Sequence, residues 1–119
     1  MKNILIFCGS PRKGGNSDLL CEQFMAGAQE AGHRVEKIFV QEHKIAPCLG
    51  CGYCQSHEGA CVQKDGMETM LEKMIKADVL VLASPVYFYS VSAQIKALMD
   101  RTVARYTEIQ NKIMYYIIA

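Results

Sequence analysis

The stretch I-L-I-F-C-G-S-P-R-K-G-G-N-S-D-L-L, Ile4 to Leu20, decides the fold. Ile4 to Phe7 is a short apolar run of the kind that fills a strand buried on both faces, and Gly9, Ser10 and Pro11 stop it. Arg12, Lys13, Gly14 and Gly15 follow. Asn16 or Ser17 then stands as an N-cap before Leu19, Leu20, Phe24 and Met25 at helical spacing. The pattern is strand, small cationic loop, helix.

Such a loop suits an anion. Glycines let the backbone approach closely, the first amides of the helix are unpaired, and the helix dipole adds partial positive charge. Ser10 and Ser17 hydroxyls and the Arg12 guanidinium can add charge-assisted bonds, each about 1.5–3 kcal/mol where water is excluded, and Lys13 adds a second cation. Taken alone, the loop also reads as a tight βα turn with solvated Arg12 and Lys13. Known nucleotide loops narrow the choice. A Walker A loop needs Lys and Ser or Thr where Gly15 and Asn16 stand, and Pro11 breaks the dinucleotide pattern G-x-G-x-x-G. A cysteine phosphatase would want Arg where Gly14 follows Cys8. A monophosphate site without metal remains, which suits a mononucleotide such as FMN.

At 119 residues the chain is read as one domain, residues 1–119. Its net charge of +1 gives no electrostatic footprint for nucleic acid or an anionic membrane. No run resembles a signal or a membrane span, so the expected compartment is the cytoplasm. Of six cysteines, Cys8 and Cys21 fit the core as small hydrophobes, while Cys48, Cys51, Cys54 and Cys61 crowd into one loop. Without a secretory signal, that cluster points to metal or redox chemistry more than to structural disulfides.

Outward from the opening stretch, a helix is expected over Asp18 to Ala31 with Gly32 beyond its end, then an edge strand over Arg34 to Val40. Residues 41–64 hold no period and form a cysteine-rich insertion loop. Asp65 and Glu68 have capping-box spacing ahead of a helix that puts Met67, Met70, Leu71, Met74 and Ile75 on one face, a core stripe. Val79 to Ala83 is a second fully apolar strand. A helix over Ser92 to Arg105 should turn Ile95, Leu98, Met99 and Val103 inward and Lys96, Asp100 and Arg101 outward. Ile113 to Ala119 is a last apolar strand.

Apolar strands alternating with helices require a parallel sheet covered on both faces, an α/β doubly wound fold. An apolar strand at the chain's end implies a missing fifth strand and last helix, or a partner over that edge. Ligands in such sheets lie beyond the carboxyl ends of the strands, and the loops after the first strand, the second strand and the strand ending at Ala83 all lie on that edge. There, Pro85 and Val86 can offer backbone groups to a heteroaromatic edge, and Tyr87, Phe88 and Tyr89 aromatic surface to its face. The plainer reading is that these aromatics cap the sheet.

With G-S-P-R-K-G-G-N-S, A-S-P-V-Y-F-Y-S-V-S-A-Q-I-K-A-L-M-D-R and the spaced cysteines on the page, the chain resembles the flavodoxin-like NADPH-dependent FMN reductases, and among them the iron–sulfur flavoproteins. The resemblance implies strand order 2-1-3-4-5, FMN as cofactor, NAD(P)H as donor, and a homodimer or homotetramer. It implies that Ser10, Arg12, Asn16 and Ser17 hold the phosphate while Pro85, Val86, Tyr87 and Phe88 cradle the isoalloxazine. Cys48-x2-Cys51-x2-Cys54-x6-Cys61 fits the corners of a [4Fe–4S] cube; free or redox-active thiols and zinc are the alternatives. His57 sits in this loop as a solvated side chain, and His33 and His43 carry no assigned role.

Two functions follow. The first is an enzyme passing electrons from NAD(P)H through FMN to a quinone, nitro compound, free flavin or metal ion, with no catalytic side chain because the flavin carries the chemistry. The second is an electron carrier in which a cluster trades single electrons between FMN and a ferredoxin-like protein. A cofactor-free binding domain is a third and weaker reading.

Overall fold

The computed structural model describes all 119 residues. Four strands, β1 (Asn3–Cys8), β2 (Arg34–Phe39), β3 (Val79–Ser84) and β4 (Ile113–Ile118), form one parallel sheet in the order β2-β1-β3-β4. Helices α1 (Asn16–Glu30), α2 (Met67–Lys76) and α3 (Ala93–Arg101) make the crossovers. The sheet is doubly wound and flavodoxin-like, with the 2-1-3-4 part of the expected order in place.

Alternation along β1 divides the core. Leu5 and Phe7 face α2 and α3 with Met67, Met70, Leu71, Met74, Ile95 and Leu98; Ile4, Ile6 and Cys8 face α1 with Cys21, Phe24 and Met25. The methionine stripe is core, each buried side chain stabilising by about 1.5–3 kcal/mol relative to exposure. Cys8 and Cys21 are fully buried here, as their sequence context suggests. The hydrogen bond to Cys8 and then burial push the Cys21 thiol up.

Register positions the site. Cys8 is level with Phe39 on one side and Ala83 on the other, so the loops leaving β1 and β3 start side by side. β2 is an edge strand with Arg34 and Glu36 on its wet face, as expected. β4 forms the other edge, and within this chain Ile113, Met114, Tyr115, Tyr116 and Ile118 stay exposed. Tyr115 has partial cover from Phe24 of α1, their ring centroids 5.6 Å apart.

Several local expectations need correction. Helix α1 starts at Asn16 behind a backbone N-cap at Gly15, so neither Asn16 nor Ser17 caps it. Asp18 in the first turn instead reaches back, its Oδ2 accepting from the Gly14 amide at 2.8 Å. Leu19 and Leu20 are exposed, because it is Cys21, Phe24 and Met25 that meet the sheet. The C-terminus of α1 matches expectation: Gly32 is left-handed (φ 91°), and His33 and Gly32 amides close the Schellman pair onto Ala28 and Gln29 carbonyls.

The Asp65 carboxylate accepts from the Met67 amide at 3.1 Å, but exposed Glu68 does not complete the box. Helix α3 stops at Arg101 and continues as 3-10 turns over Thr102–Glu108, broken at Arg105. Arg101, expected outside, is buried, while Met99 and Val103, expected inside, are 37% and 40% exposed. The cause is Asp65, whose carboxylate sits under α3 and draws the guanidinium inward.

Candidate functional site

The loop after β1 is held from beneath. The Gly9 amide donates to the Ala83 carbonyl at 2.8 Å. A Cβ on Gly9 would lie 1.9 Å from Ile95 Cγ1, so only glycine fits where the loop crosses α3. Buried Ser92 is the fastener: its Oγ donates to the Gly9 carbonyl at 2.7 Å and accepts from the Ile95 amide at 3.2 Å as the α3 N-cap. The Ser92 amide in turn donates to Ser84 Oγ at 2.8 Å. One serine thus joins the loop after β1, the end of β3 and the start of α3.

Above this floor lies a small concavity, about 90 Å³, whose lining includes Ser10, Arg12, Asn16, Ser17, Pro85 and Tyr87. Six of the nine residues expected to bind cofactor therefore meet at one place. Ser10 and Ser17 are buried, and Ser17 Oγ has no hydrogen-bond partner at all. Such an orphaned hydroxyl at a helix N-terminus costs about 1–3 kcal/mol unless something bonds to it. Ser10 Oγ accepts from the Arg12 amide at 3.1 Å, which bends the loop so that exposed Arg12 stands beside the concavity. These are the features an FMN phosphate needs: amides at a helix start, two hydroxyls and a guanidinium without a carboxylate partner.

Asp18 places a negative charge just behind this loop, and Lys37 of β2 answers it at 2.6 Å. Lys37 then pulls the Asp18 carboxyl below its usual range. Burial works against the Lys37 charge, but Asp18 and Glu22 together hold it firmly protonated. The remaining three candidates lie elsewhere. Lys13 turns away to pair with Glu42, 5.5 Å over the Phe39 ring. The Val86 amide is taken by the Ala119 carbonyl at 2.7 Å. Phe88 projects into solvent, 94% exposed.

The aromatic run forms a tight hairpin. Tyr87 and Ser90 exchange both backbone bonds, at 2.9 and 3.0 Å, across Phe88 and Tyr89. Both central residues have positive φ, 43° and 71°, the pattern of a type I′ turn usually filled by Asn and Gly. Two aromatics there store strain on the order of 1–3 kcal/mol each.

The cysteine loop leaves the same sheet edge, as expected, and its four cysteines lie toward the far end of α3. Cys48, Cys51, Cys54 and Cys61 rim one concavity of about 270 Å³ against Arg101, Val103 and Ala104. Ser92 and Arg101 are separated by roughly 13 Å of helix rise. Gly50 and Gly52, with φ of 66° and 74°, make the turns between the first three cysteines. The Cys48 sulfur accepts from the Gly50 amide at 3.4 Å, and Cys61 from the Gln63 amide at 3.4 Å and Arg101 Nη2 at 3.5 Å. No three cysteine, histidine or carboxylate side chains are drawn together at ion-binding distance. His57 stacks on Tyr53 at 3.6 Å.

Asp18, Lys37, Ser84, Ser92 and Arg101 were not legible as site residues in the sequence. Asp18 carried one signal, an acidic residue in a first helical turn after a glycine pair.

No helix is long and apolar enough to cross a membrane. The family model for NADPH-dependent FMN reductase matches residues 2–119. An iron–sulfur flavoprotein of Methanocaldococcus jannaschii is 44% identical over 94 residues, 79% of this chain and 48% of the relative. One of Methanosarcina thermophila is 40% identical over 95 residues, 80% of this chain and 49% of the relative. The chain thus spans about half the length of these curated relatives. In fold it is similar to RosB, crystallised with an 8-demethyl-8-formylriboflavin-5′-phosphate intermediate, at TM-score 0.82 and 18% identity over 99% of this chain and 52% of that one. The chain belongs to the NADPH-dependent FMN reductase family, in its iron–sulfur flavoprotein subgroup.

Proposed function

We propose that this chain forms the FMN-binding part of an oxidoreductase that takes electrons from NAD(P)H and passes them to a quinone, nitro compound, flavin or metal ion. Bound FMN supplies the redox chemistry, two electrons in as hydride and one or two at a time out. The protein's part is to hold and orient. Ser10, Ser17, Arg12 and the first amides of α1, those of Asn16 and Ser17, hold the phosphate. Pro85 and Tyr87 border the ring, and Gly9 and Ser92 lock the two loops into one surface. Lys13, Val86 and Phe88 stand outside this arrangement and serve the loops rather than the ligand.

The observation that carries the reading is Ser17 Oγ, buried at the start of α1 with no partner. Ser17→Ala should weaken FMN roughly ten-fold, the worth of one charge-assisted bond, and leave riboflavin affinity unchanged, read by flavin fluorescence titration. Equal weakening of both ligands would contradict it.

A second reading is supported by the four cysteines that line one concavity and by relatives named as iron–sulfur flavoproteins. In it, Cys48, Cys51, Cys54 and Cys61 hold a [4Fe–4S] cluster, and the protein carries electrons between a ferredoxin-like partner and FMN. The donor set fits such a cluster, since four thiols on a glycine-jointed loop can close onto it. Steady NAD(P)H oxidation favours the enzyme. Inertness to pyridine nucleotide with fast reduction by ferredoxin favours the carrier.

A further inference from the structure

Arg101 is the one side chain from the body of the fold that hydrogen-bonds a sulfur of the cysteine loop. Its Nη1 donates to Asp65 Oδ2 at 2.9 Å and to the Ala46 carbonyl at 2.8 Å; its Nη2 donates to Asp65 Oδ1 at 2.9 Å and to Cys61 Sγ at 3.5 Å. Asp65 closes the ring by accepting from the Ala46 amide at 3.0 Å and the Met67 amide at 3.1 Å. The pair is nearly sealed from water, with side-chain exposure of 2% for Arg101 and 8% for Asp65. Both ends of the cysteine loop, Ala46 and Asp65, are therefore clamped to α3 by one guanidinium. Gly59 tightens the closure, since a Cβ there would meet Arg105 Cγ at 2.9 Å and the Ala104 carbonyl at 3.0 Å.

Stability alone gives little reason for this arrangement, because buried ion pairs are often matched by well-packed apolar residues. Its distinctive part is the contact left over for sulfur. A neutral thiol is a weak acceptor, whereas a sulfur bearing negative charge, as a metal-bound thiolate does, is a good one, and guanidinium is charged at every relevant pH. The other three sulfurs differ. Cys48 accepts only from the Gly50 amide and Cys54 only from the neighbouring Gln55 side chain, both within the loop, and Cys51 accepts from no donor.

We propose that Arg101 is a positioning residue of the cysteine site: it fixes Cys61 as the immobile corner of a four-cysteine cluster, and its charge raises the cluster's reduction potential, with Asp65 setting how far. This rests on reading the loop as a cluster site. Cys48, Cys51 and Cys54, on their glycine-jointed arc, then close around the fixed corner. Hydrogen bonds and positive charge at a ligating sulfur stabilise the reduced, more negative cluster, which is what raises its potential.

The opposite signs of Arg101 and Asp65 supply the test. Anaerobically purified full-length protein is assayed for iron, sulfide and FMN, and the cluster midpoint is measured by spectroelectrochemistry. Arg101→Gln should lower the midpoint by at least a ten-fold change in the one-electron equilibrium, about 59 mV. Asp65→Asn should raise it, because the guanidinium loses its counter-charge. A purely structural clamp would move both variants the same way or neither, and that result overturns the proposal. If Arg101→Gln sheds iron yet keeps FMN, Arg101→Lys decides. Recovery of iron with the charge supports the proposal, and no recovery together with an unshifted Asp65→Asn midpoint overturns it. Wild-type protein without iron would instead overturn the cluster reading itself and this proposal with it, while iron present with an unmoved Arg101→Gln midpoint sinks only the role of Arg101.

Discussion

Ser92 Oγ donates a 2.7 Å hydrogen bond to the carbonyl of Gly9, eighty-three residues away in sequence, and so binds the loop after β1 to the first turn of α3. The same hydroxyl caps α3, which makes helix start and ligand loop one unit. Ser92→Ala should lose the cap, about 1 kcal/mol, and strand the Gly9 carbonyl, about 1–3 kcal/mol more. Urea denaturation should show a midpoint lowered to match, with the m-value unchanged.

Gly9 and Ile95 should be energetically coupled. Gly9→Ala drives a methyl into Ile95 Cγ1, and overpacking of that kind costs about 1–3 kcal/mol. Ile95→Ala removes the obstructing atom at its own cavity cost of about 2–5 kcal/mol. The double variant should be less destabilised than the sum by about 1 kcal/mol or more, measured by a double-mutant denaturation cycle.

Arg12 makes no ion pair within the chain, which leaves its charge free for a ligand. Arg12→Ala should weaken FMN by about 1.5–3 kcal/mol, roughly ten- to hundred-fold, with riboflavin little affected. Equal losses would show that Arg12 does not meet the phosphate.

Acid should loosen the clamp on the cysteine loop. The Arg101 guanidinium holds the Asp65 carboxyl down at about 2, against an unfolded value near 4. A depressed carboxylate contributes stability that is fully present above its unfolded pKa and is lost as pH falls toward the folded one. That window is therefore about pH 4 down to pH 2, and the contribution is on the order of 2 kcal/mol. Thermal unfolding across that range should fall more steeply for wild type than for Asp65→Asn, which starts lower and has nothing left to protonate at this position.

On the cluster reading, Cys51→Ser should strip most iron and sulfide while FMN stays bound, because the loops after β1 and β3 lie at the other end of α3. Cys21→Ser, placed in the core beside Cys8, should leave iron content unchanged and reduce stability modestly by burying a hydroxyl.

The sheet, its parallel sense and the two core faces were legible because Ile4 to Cys8 and Val79 to Ala83 are unbroken apolar runs and the α2 methionines keep helical spacing. So were the anion loop and the cysteine motif, both local in sequence. Arg101 was misplaced because helical periodicity assigns a charged residue to solvent unless a buried partner exists, and Asp65 lies thirty-six residues away. Ser92 was read only as a helix start, since its bond to Gly9 depends on tertiary packing. Lys13 looked like a phosphate ligand by proximity in sequence, but Glu42 competes for it from beyond β2. Nor does periodicity foresee a type I′ turn built from Phe88 and Tyr89.

The central claim is that the loop after β1 and the loop after β3 together hold FMN by its phosphate, and one equilibrium titration tests it most directly. Wild-type protein, stripped of flavin, is titrated with FMN and with riboflavin under the same conditions. The site described here predicts that FMN binds at least roughly hundred-fold more tightly, about 2.7 kcal/mol, because only FMN can satisfy Ser17 and Arg12. Equal affinity for the two, or no binding of FMN, would contradict it.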